Sequence, residues 1–328
     1  MERPRSRISG TGRSLPERVL TNHELESMVD TTDEWITTRT GIRERHIARE
    51  DECLSKFAAE AGRQALEMAG VKPEDLDLII LATVTGDQPI PATSCFVQDM
   101  LGAKKAAAFD MQAGCSGFIY ALGVADQFIG TGTYSKVLVV GCEVLSKFLD
   151  WKDRATCVLF GDGAGAVLLS AEHGSRGLLS TSLHADGSMA EFITLPGGGS
   201  KIPVSHGMID QNLHTIKMKG NETFKIAVRS IESACREAIS KAGLTPADVR
   251  WFVPHQANTR IINAVADRLG WPPEEIYLNI DRIGNTSAAS IPIALDEMVR
   301  AGQISENDIL LFAAFGAGLT WGSALVRW

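Results

Sequence analysis

The chain has 328 residues, of which 45% are hydrophobic and 22% are charged, with a net charge of −8. That length exceeds one typical hydrophobic core, so we expect two domains or a duplicated unit. The acidic balance argues against a nucleic-acid-binding protein, which normally presents a basic face. No apolar run reaches the roughly 18 residues of a membrane-spanning helix, so we expect no membrane association.

Six cysteines are scattered along the chain, and none forms a Cys-x-x-Cys pair or another spacing typical of a metal site. Free cysteine is among the most buried residue types, so most of the six are expected to be small core residues. We therefore expect reduced thiols, a cytoplasmic location and no metal site.

Strands and helices alternate through the first half of the chain. Thr21 with Glu24, and Thr31 with Glu34, have the spacing of a capping box and predict two helix starts. An amphipathic pattern before Gly70 predicts a helix that ends at this glycine. Apolar runs predict strands over residues 76–84, 106–111, 136–142 and 164–170.

The second half repeats this order. A helix ended by Gly243 and a turn started by Pro246 correspond to Gly70 and Pro73 in the first half. Strands are predicted over residues 178–183, 249–254, 276–280, 308–315 and 323–327. Two copies are too few for a solenoid, so we expect a pseudo-twofold pair made of residues 1–172 and 173–328. Alternating strands and helices favour mainly parallel sheets covered on both faces.

Three chemically reactive side chains follow predicted strands, namely Cys115, His255 and Asn285. Because ligands of such sheets bind outside the carboxyl ends of the strands, we expect these three residues to meet. A thiol, an imidazole and an amide donor together suit thioester chemistry. Cys115 also precedes a predicted helix, whose N-terminal dipole favours the thiolate form.

Each of these residues also has a plain structural interpretation. Cys115 could be an inert buried thiol, His255 a satisfied core or surface group, and Asn285 a helix cap. The glycines at 161–165 lack the spacing of a nucleotide-binding loop, and their repetition at 316–318 favours tight turns. The convergence of all three side chains on strand ends favours the functional interpretation.

Longer motifs run along almost the whole chain: DEWI at 33–36, TRTGIRER at 38–45, FGDGAG at 160–165, HADG at 184–187, PHQAN at 254–258, GNTSAAS at 284–290 and TWGSALVR at 320–327. In these motifs the chain resembles β-ketoacyl-acyl-carrier-protein synthase III, the thiolase-fold enzyme that starts type II fatty acid synthesis. The resemblance implies an α/β thiolase-like fold, in which two βαβαβαββ halves form five α-β-α-β-α layers, and a homodimer.

The resemblance also implies roles for individual residues. Cys115 is the acylated nucleophile, His255 and Asn285 complete a triad, and the backbone N–H groups of Cys115 and Gly316 bind the oxyanion. Trp35, Arg39 and Arg154 hold coenzyme A, with groups suited to adenine stacking and phosphate binding. The remaining implied positions are Gly220, Phe224 and Asn258 in the pantetheine tunnel, Gln256, Arg260, Lys225 and Arg268 on the carrier-protein docking surface, and Ile90 at the acyl pocket. Asp267 stands where the family often has a basic residue.

The implied reaction is ping-pong. A short acyl-CoA acylates Cys115, and malonyl-acyl carrier protein then loses carbon dioxide and attacks the acyl group, giving 3-ketoacyl-acyl carrier protein. This scheme needs no metal or redox cofactor, and coenzyme A enters only as a thioester substrate. Alternatives are a related ketosynthase or acyltransferase of specialised metabolism with another primer or acceptor, a cysteine hydrolase, and a non-catalytic scaffold that binds carrier protein.

Overall fold

The computed structural model describes residues 3–328. The strands in this range are β1 Arg5–Ser14, β2 Val19–Thr21, β3 Glu44–His46, β4 Leu78–Ala82, β5 Ala107–Met111, β6 Lys136–Val144, β7 Asp162–Glu172, β8 Gly177–Ala185, β9 Ile193–Thr194, β10 Lys217–Met218, β11 Trp251–Pro254, β12 Ile309–Gly316 and β13 Thr320–Arg327. The helices are α1 Asn22–Leu25, α2 Asp33–Thr40, α3 Leu54–Ala69, α4 Thr93–Leu101, α5 Gly117–Gly130, α6 Arg154–Cys157, α7 His206–Asp210, α8 Gly220–Lys241, α9 Thr259–Leu269, α10 Ile280–Ile283 and α11 Ser290–Arg300.

Two mixed sheets organise these elements. The five-stranded sheet has the order β1-β7-β6-β4-β5, and the four-stranded sheet has the order β11-β12-β13-β8. Strand β4 pairs in parallel with β5 and β6, and β11 pairs in parallel with β12, but every other neighbour in these sheets is antiparallel. The prediction of mainly parallel sheets is therefore wrong. Strands β12 and β13 show the reason, because the short connection between them can only reverse the chain.

Helices separate and cover the two sheets in five layers. Helices α3 and α4 lie on the outer face of the five-stranded sheet, and α8 and α9 lie beyond the four-stranded sheet. Helices α5 and α11 form the middle layer, where Phe118, Leu122 and Leu295 are fully buried in a core that also includes strand residues Ile80 and Phe312. This burial of apolar surface on both sides of each helix is the main stabilising contribution to the middle layer. The α-β-α-β-α arrangement expected from the sequence is confirmed.

The strands of the larger sheet lie within residues 5–172, and those of the smaller sheet lie within residues 177–327. Helices α5 and α11 pack against both sheets. The division of the chain into residues 1–172 and 173–328 thus stays a prediction, because the middle layer is shared between the two halves.

Strand β1 has no counterpart among the predicted strands. Its sequence is polar and rich in small residues, so it lacks the apolar run that marks the other strands. Gly10 and Gly12 explain why the strand forms here, since a Cβ atom at these positions would lie 2.1 Å and 2.2 Å from the carbonyl oxygens of Ala65 and Ala61. Glycine allows β1 to pack closely against α3.

The predicted strand over residues 276–280 is wrong. Only an isolated bridge between Phe252 and Ile276 forms there, and α10 already begins at Ile280. The backbone N–H of Asn279 donates to the side chain of Gln256 at 3.1 Å instead of to a neighbouring strand. A side-chain acceptor has therefore replaced the expected ladder partner. Within residues 3–328, no helix is both long and apolar enough to cross a membrane.

Candidate active site

Cys115 lies in a tight turn between β5 and α5. The short 3₁₀ turn Gly114–Ser116 leads directly into the helix, so the thiol stands at the N-terminal end of α5. Gly114 has φ 53°, and a Cβ atom there would lie 2.7 Å from the backbone nitrogen of Ala317. Only glycine meets both constraints without strain. The turn leaves the Cys115 side chain partly exposed.

The thiol is protonated in the resting site. Burial raises the pKa of Cys115 to about 11; the charge of Glu143 raises it further, and a hydrogen bond with the Ser287 side chain lowers it. The backbone N–H at Cys115 lowers the pKa of the thiol, in the direction expected for the start of a helix, but removal of the sulfur from water acts more strongly against ionisation. A proton acceptor is needed before this sulfur can attack.

His255 follows β11 and is 5% exposed. Its Nδ1 lies 2.7 Å from the hydroxyl of Ser290, which also accepts a hydrogen bond from the backbone N–H of Gln256 at 3.3 Å. Burial lowers the pKa of His255 to about 3, so the imidazole is neutral at pH 7. With Nδ1 accepting from Ser290, the single ring proton is placed on Nε2, which makes this atom a hydrogen-bond donor.

Asn285 is held by backbone hydrogen bonds to Leu159 and Gly161, both of 3.0 Å. Its side-chain Oδ1 accepts from the backbone N–H of Ser287 at 2.9 Å. The bond closes a local turn before the 3₁₀ helix Ser287–Ala289, whose N-cap is Thr286, so Asn285 itself is not a helix cap. The same bond orients the amide so that its NH₂ group remains available as a donor.

Gly316, at the end of β12, packs directly on the nucleophile. A Cβ atom at Gly316 would lie 2.4 Å from the backbone nitrogen of Cys115. The backbones of the two residues can approach this closely only because Gly316 lacks a side chain. Adjacent backbone N–H groups of this kind are suitable donors to an oxyanion.

Cys115, His255 and Asn285 line one cavity of about 1420 Å³. Trp35, Arg39, Gly220, Phe224 and Asn258 also line it, as do Lys225 and Arg260. The structure thus brings the predicted triad together with most of the predicted substrate-binding positions. Within residues 3–328, no group of three or more His, Cys, Asp or Glu side chains could hold a metal ion.

The side chains of Trp35, Arg39 and Arg154 together form one part of the cavity wall and its edge. The Cζ atoms of Arg39 and Arg154 lie 5.4 Å and 4.7 Å from the centre of the Trp35 ring. Arg154 also donates to the backbone oxygen of Asp30 at 2.8 Å. Both arginines are exposed, so their remaining donors can reach an anionic ligand.

Asn258 lines the cavity, but both polar atoms of its side chain are engaged. The Oδ1 atom caps α9 by accepting from the backbone N–H of Arg260 at 2.9 Å, and Nδ2 donates to the backbone oxygen of Arg39 at 3.0 Å. The side chain therefore joins the start of α9 to the end of α2. Because both polar atoms are engaged, Asn258 shapes the tunnel wall and has no free polar atom to offer a ligand.

Two of the four residues predicted to contact the carrier protein are poorly placed for such a contact. Gln256 is 0% exposed, and its amide donates to the backbone oxygens of Pro254 and Tyr277, so the prediction that it contacts a carrier protein is wrong. Arg268 is exposed but pairs with Glu232 at 2.9 Å. It also lies at the opposite end of α9 from Arg260. Lys225 and Arg260 alone combine exposure with a place on the cavity wall.

Ile90 does not line the cavity of its own chain and is 84% exposed. Its neighbours Gln88 and Pro89 do line the cavity. The loop turns the Ile90 side chain outward, so the prediction that it helps to close an acyl pocket, which in the family often belongs to the partner subunit, stays a prediction.

Sequence reasoning missed Glu143, Ser287 and Ser290 as parts of the site. Both serines stand in the GNTSAAS motif, in which only Asn285 has a predicted role. Glu143 had one visible signal, an acidic residue directly after the apolar run at 136–142. A lone charge at the end of a strand is too common at surfaces to identify a buried carboxyl group.

Comparison with known proteins gives the same family from sequence and from structure. Two family models match the chain, 3-oxoacyl-(acyl-carrier-protein) synthase III over residues 109–187 and the C-terminal part of the same family over residues 239–328. A beta-ketoacyl-acyl-carrier-protein synthase III of Caldanaerobacter subterraneus subsp. tengcongensis is 55% identical over 98% of this chain and 97% of its own.

Solved structures agree with the sequence comparisons. The crystal structure of 3-oxoacyl-acyl-carrier-protein synthase III from Aquifex aeolicus superposes with a TM-score of 0.91 and 50% identity, covering 98% of this chain and 100% of that one. The priming β-ketosynthase of the R1128 polyketide pathway has a TM-score of 0.93 but 36% identity, covering 99% and 97% of the two chains. The chain is thus more similar in sequence to the Aquifex protein.

Proposed function

The chain belongs to the 3-oxoacyl-(acyl-carrier-protein) synthase III family, and we propose that Cys115, His255 and Asn285 carry out the two half-reactions of this condensing acyltransferase. The family and class of enzyme expected from the sequence are confirmed by its relatives. The observation that carries the residue assignment is the placement of all three side chains on one cavity wall.

In the first half-reaction, the Cys115 sulfur attacks the carbonyl carbon of a short acyl-CoA. The backbone N–H groups of Cys115 and Gly316 hold the oxyanion that forms on the carbonyl oxygen. The C–S bond of the substrate breaks, coenzyme A leaves with the proton that Cys115 loses, and an acyl group stays on Cys115. The glycine at position 316 supports this role, because it lets the two backbones meet.

In the second half-reaction, malonyl-acyl carrier protein presents its thioester in the same cavity. His255 Nε2 and the Asn285 NH₂ group donate to the thioester oxygen and stabilise the enolate formed as carbon dioxide leaves. The enolate carbon then attacks the acyl-cysteine, which releases 3-ketoacyl-acyl carrier protein. The neutral state of His255 suits a donor that must not take up a second proton at pH 7.

Coenzyme A enters past Trp35, Arg39 and Arg154, whose guanidinium groups bind its phosphates. Gly220, Phe224 and Asn258 line the path of the pantetheine arm. Lys225 and Arg260 attract the carrier protein to the same opening, and the guanidinium of Arg260 lies 5.6 Å from the centre of the Phe224 ring. Substrate entry and carrier docking therefore use adjoining surfaces.

The proposal includes a homodimer. Strand β5 lies at an edge of the five-stranded sheet, and within the described chain it pairs only with β4. An open edge of this kind is suited to pairing with a second copy. The exposed Ile90 would then contact the cavity of the partner, where its size favours short or branched primers.

The proposal also places the enzyme in the cytoplasm and requires no metal or redox cofactor. The scattered cysteines, all free in the structure, fit a reducing compartment. The runner-up is a related ketosynthase or acyltransferase of specialised metabolism, and the 36%-identical priming ketosynthase favours it as the second candidate.

Intact-mass spectrometry with several acyl-CoAs tests the assignment. We expect one acyl group on Cys115 and none after Cys115→Ala, with turnover of acetyl-, isobutyryl- and octanoyl-CoA reporting the primer range. His255→Ala or Asn285→Ala should slow malonyl decarboxylation by about 10²–10³ and self-acylation far less. Equal loss of both half-reactions would contradict these roles, and release of free acid would indicate a hydrolase.

A further inference from the structure

The strand that precedes His255 ends at a proline. Pro254 is the last residue of β11, and the backbone N–H of His255 donates to β12 at 2.8 Å, so the backbone of Pro254 faces the other neighbour, segment 276–279. This segment begins to pair with β11 in parallel, since the backbone N–H of Tyr277 donates to the oxygen of Phe252 at 2.9 Å. The next step of the ladder would need an N–H on Pro254. Because proline has none, this step cannot form.

The side-chain amide of Gln256 takes the place of the missing step. Its Nε2 atom donates to the backbone oxygens of Pro254 and Tyr277 at 2.9 Å and 3.1 Å, and its Oε1 atom accepts from the backbone N–H of Asn279 at 3.1 Å. A carboxamide has the donor and the acceptor of a peptide group, and a second N–H besides. One side chain therefore satisfies all three backbone groups that the interrupted ladder leaves open.

The two segments that this amide joins lead to the two donors proposed for the second half-reaction. His255 directly follows β11. Asn279 is the N-cap residue of α10, and the chain passes from the end of this helix through Gly284 to Asn285. Gln256 thus fixes the strand end beside His255 relative to the segment that ends at Asn285.

The segment is also anchored on its other side. Glu297 of α11 accepts from Asn279 Nδ2 at 2.7 Å and from the hydroxyl of Tyr277 at 3.1 Å. The guanidinium of Arg282 donates to both oxygens of the same carboxylate, at 2.7 Å and 2.9 Å. With this side held on α11, the Gln256 amide sets the distance between the segment and the end of β11.

We propose that Gln256 is a positioning residue, which sets the separation of His255 and Asn285 for donation to one thioester oxygen. The inference rests on the roles proposed for these two residues in the second half-reaction. A misplacement of about 1 Å in such a site can cost on the order of 10²-fold in rate. Gln256 is 0% exposed and acts through the backbone groups that it binds.

Three possible roles of Gln256 predict different kinetics. A residue that contacts the carrier protein would change KM for malonyl-acyl carrier protein and leave kcat nearly unchanged. A residue that only maintains the fold would affect both half-reactions alike. A residue that aligns the two donors lowers kcat for decarboxylation and leaves KM and the acylation of Cys115 nearly unchanged.

Gln256→Met tests the proposal, because methionine has a similar length and no amide. We expect kcat for decarboxylation of malonyl-acyl carrier protein to fall about 30-fold, with KM and the single-turnover acylation of Cys115 by acetyl-CoA each within about twofold of the parent. In an Asn285→Ala background the same substitution should cost much less, because only one donor remains to be aligned. Gln256→Asn, whose amide is one methylene shorter, should show a smaller loss of the same kind.

Gln98→Met is the matched control, since Gln98 of α4 also donates through Nε2 to a backbone oxygen, that of Ala103 at 2.8 Å, on the outer face of the five-stranded sheet. It should leave both half-reactions unchanged. Circular dichroism and thermal unfolding establish which variants are folded, and Gln256→Asn is judged by the same criteria if Gln256→Met does not fold.

Unchanged decarboxylation in a folded Gln256 variant overturns the proposal, as does an equal loss of both half-reactions. A raised KM with unchanged kcat also overturns it, in favour of contact with the carrier protein. If His255→Ala and Asn285→Ala leave decarboxylation intact, the proposed function has failed instead.

Discussion

The hydroxyl of Ser290 lies 2.7 Å from Nδ1 of His255, so the first residue of α11 sets the tautomer of an imidazole that follows β11. The Ser290 oxygen also accepts from the backbone N–H of Gln256, at 3.3 Å, and its own hydroxyl proton is available to Nδ1. The result is an Nε2–H group held without any charged partner. The second half-reaction proposed for this site depends on this arrangement.

Ser290→Ala should therefore slow malonyl decarboxylation about tenfold, less than loss of the whole donor, and leave self-acylation of Cys115 nearly unchanged. The imidazole stays in place, but its ring proton is no longer confined to Nε2. Release of carbon dioxide and the acylation burst would be measured on the same preparation. Ser305→Ala, at an exposed serine, is the control. A fall in both half-reactions would argue that Ser290 only maintains the fold.

Gly316→Ala should reduce self-acylation by more than about 100-fold. The added Cβ atom would lie 2.4 Å from the backbone nitrogen of Cys115, so one of the two backbones must move and the paired N–H groups separate. Gly187→Ala is a suitable comparison, because an added Cβ there meets nothing within 4 Å. Near-normal acylation of the Gly316 variant would show that the backbone N–H of Gly316 does not bind the oxyanion.

Glu143→Gln should change how stability depends on pH. Burial raises the pKa of Glu143 from 4.5 to about 7, so between these values the folded protein holds a proton that the unfolded chain releases. The stabilising contribution of Glu143 is thus fully present below pH 4.5 and is lost as the pH rises to 7. Folding lowers the pKa of His255 from 6.5 to about 3. Below pH 6.5 the unfolded chain takes up a proton that folded His255 does not, so this residue makes stability fall as the pH is lowered. The effect is the same in both proteins and does not alter their difference.

Urea unfolding at pH 5 and pH 7 measures this difference. From the lower to the higher pH, the free energy of unfolding of the glutamine variant should rise relative to that of the unaltered protein, by up to about 1.4 kcal/mol per pH unit. Parallel pH dependences for the two proteins would show that the carboxyl group has the same pKa when folded and unfolded.

Charge-reversal substitutions test which of the predicted residues guide the carrier protein to the enzyme. Arg260→Glu and Lys225→Glu should each raise KM for malonyl-acyl carrier protein several-fold at low salt with little change in kcat, because exposed charges mainly guide association. Arg268→Glu should have a smaller effect, since Arg268 already pairs with Glu232. Equal effects of all three substitutions would indicate that Arg268 also contacts the carrier protein. Repeating the assay at high salt should reduce every difference.

The sequence was informative wherever a local pattern carries its own physical cause. Glycines at helix ends, apolar runs and the repetition of both patterns along the chain predicted most of the helices and strands. They also predicted that the reactive residues follow the carboxyl ends of strands. It failed at β1, whose small and polar residues carry no apolar pattern, although the strand pairs with β7 and packs closely on α3 at Gly10 and Gly12. It failed again at residues 276–280, where the Gln256 side chain takes the place of a strand partner.

The amino-acid sequence by itself indicated the family and, through the resemblance, the layered α/β architecture, and it named Cys115, His255 and Asn285 as the candidate reactive residues, because motifs are properties of neighbouring positions. Only the tertiary structure decided the chemical state of those residues. Burial raises the pKa of Cys115 and lowers that of His255, Gln256 is enclosed, and the buried carboxyl group of Glu143 lies 3.3 Å from the Ser287 hydroxyl. Removal from water and contacts between distant segments set these properties, and neither can be read from the order of residues along the chain.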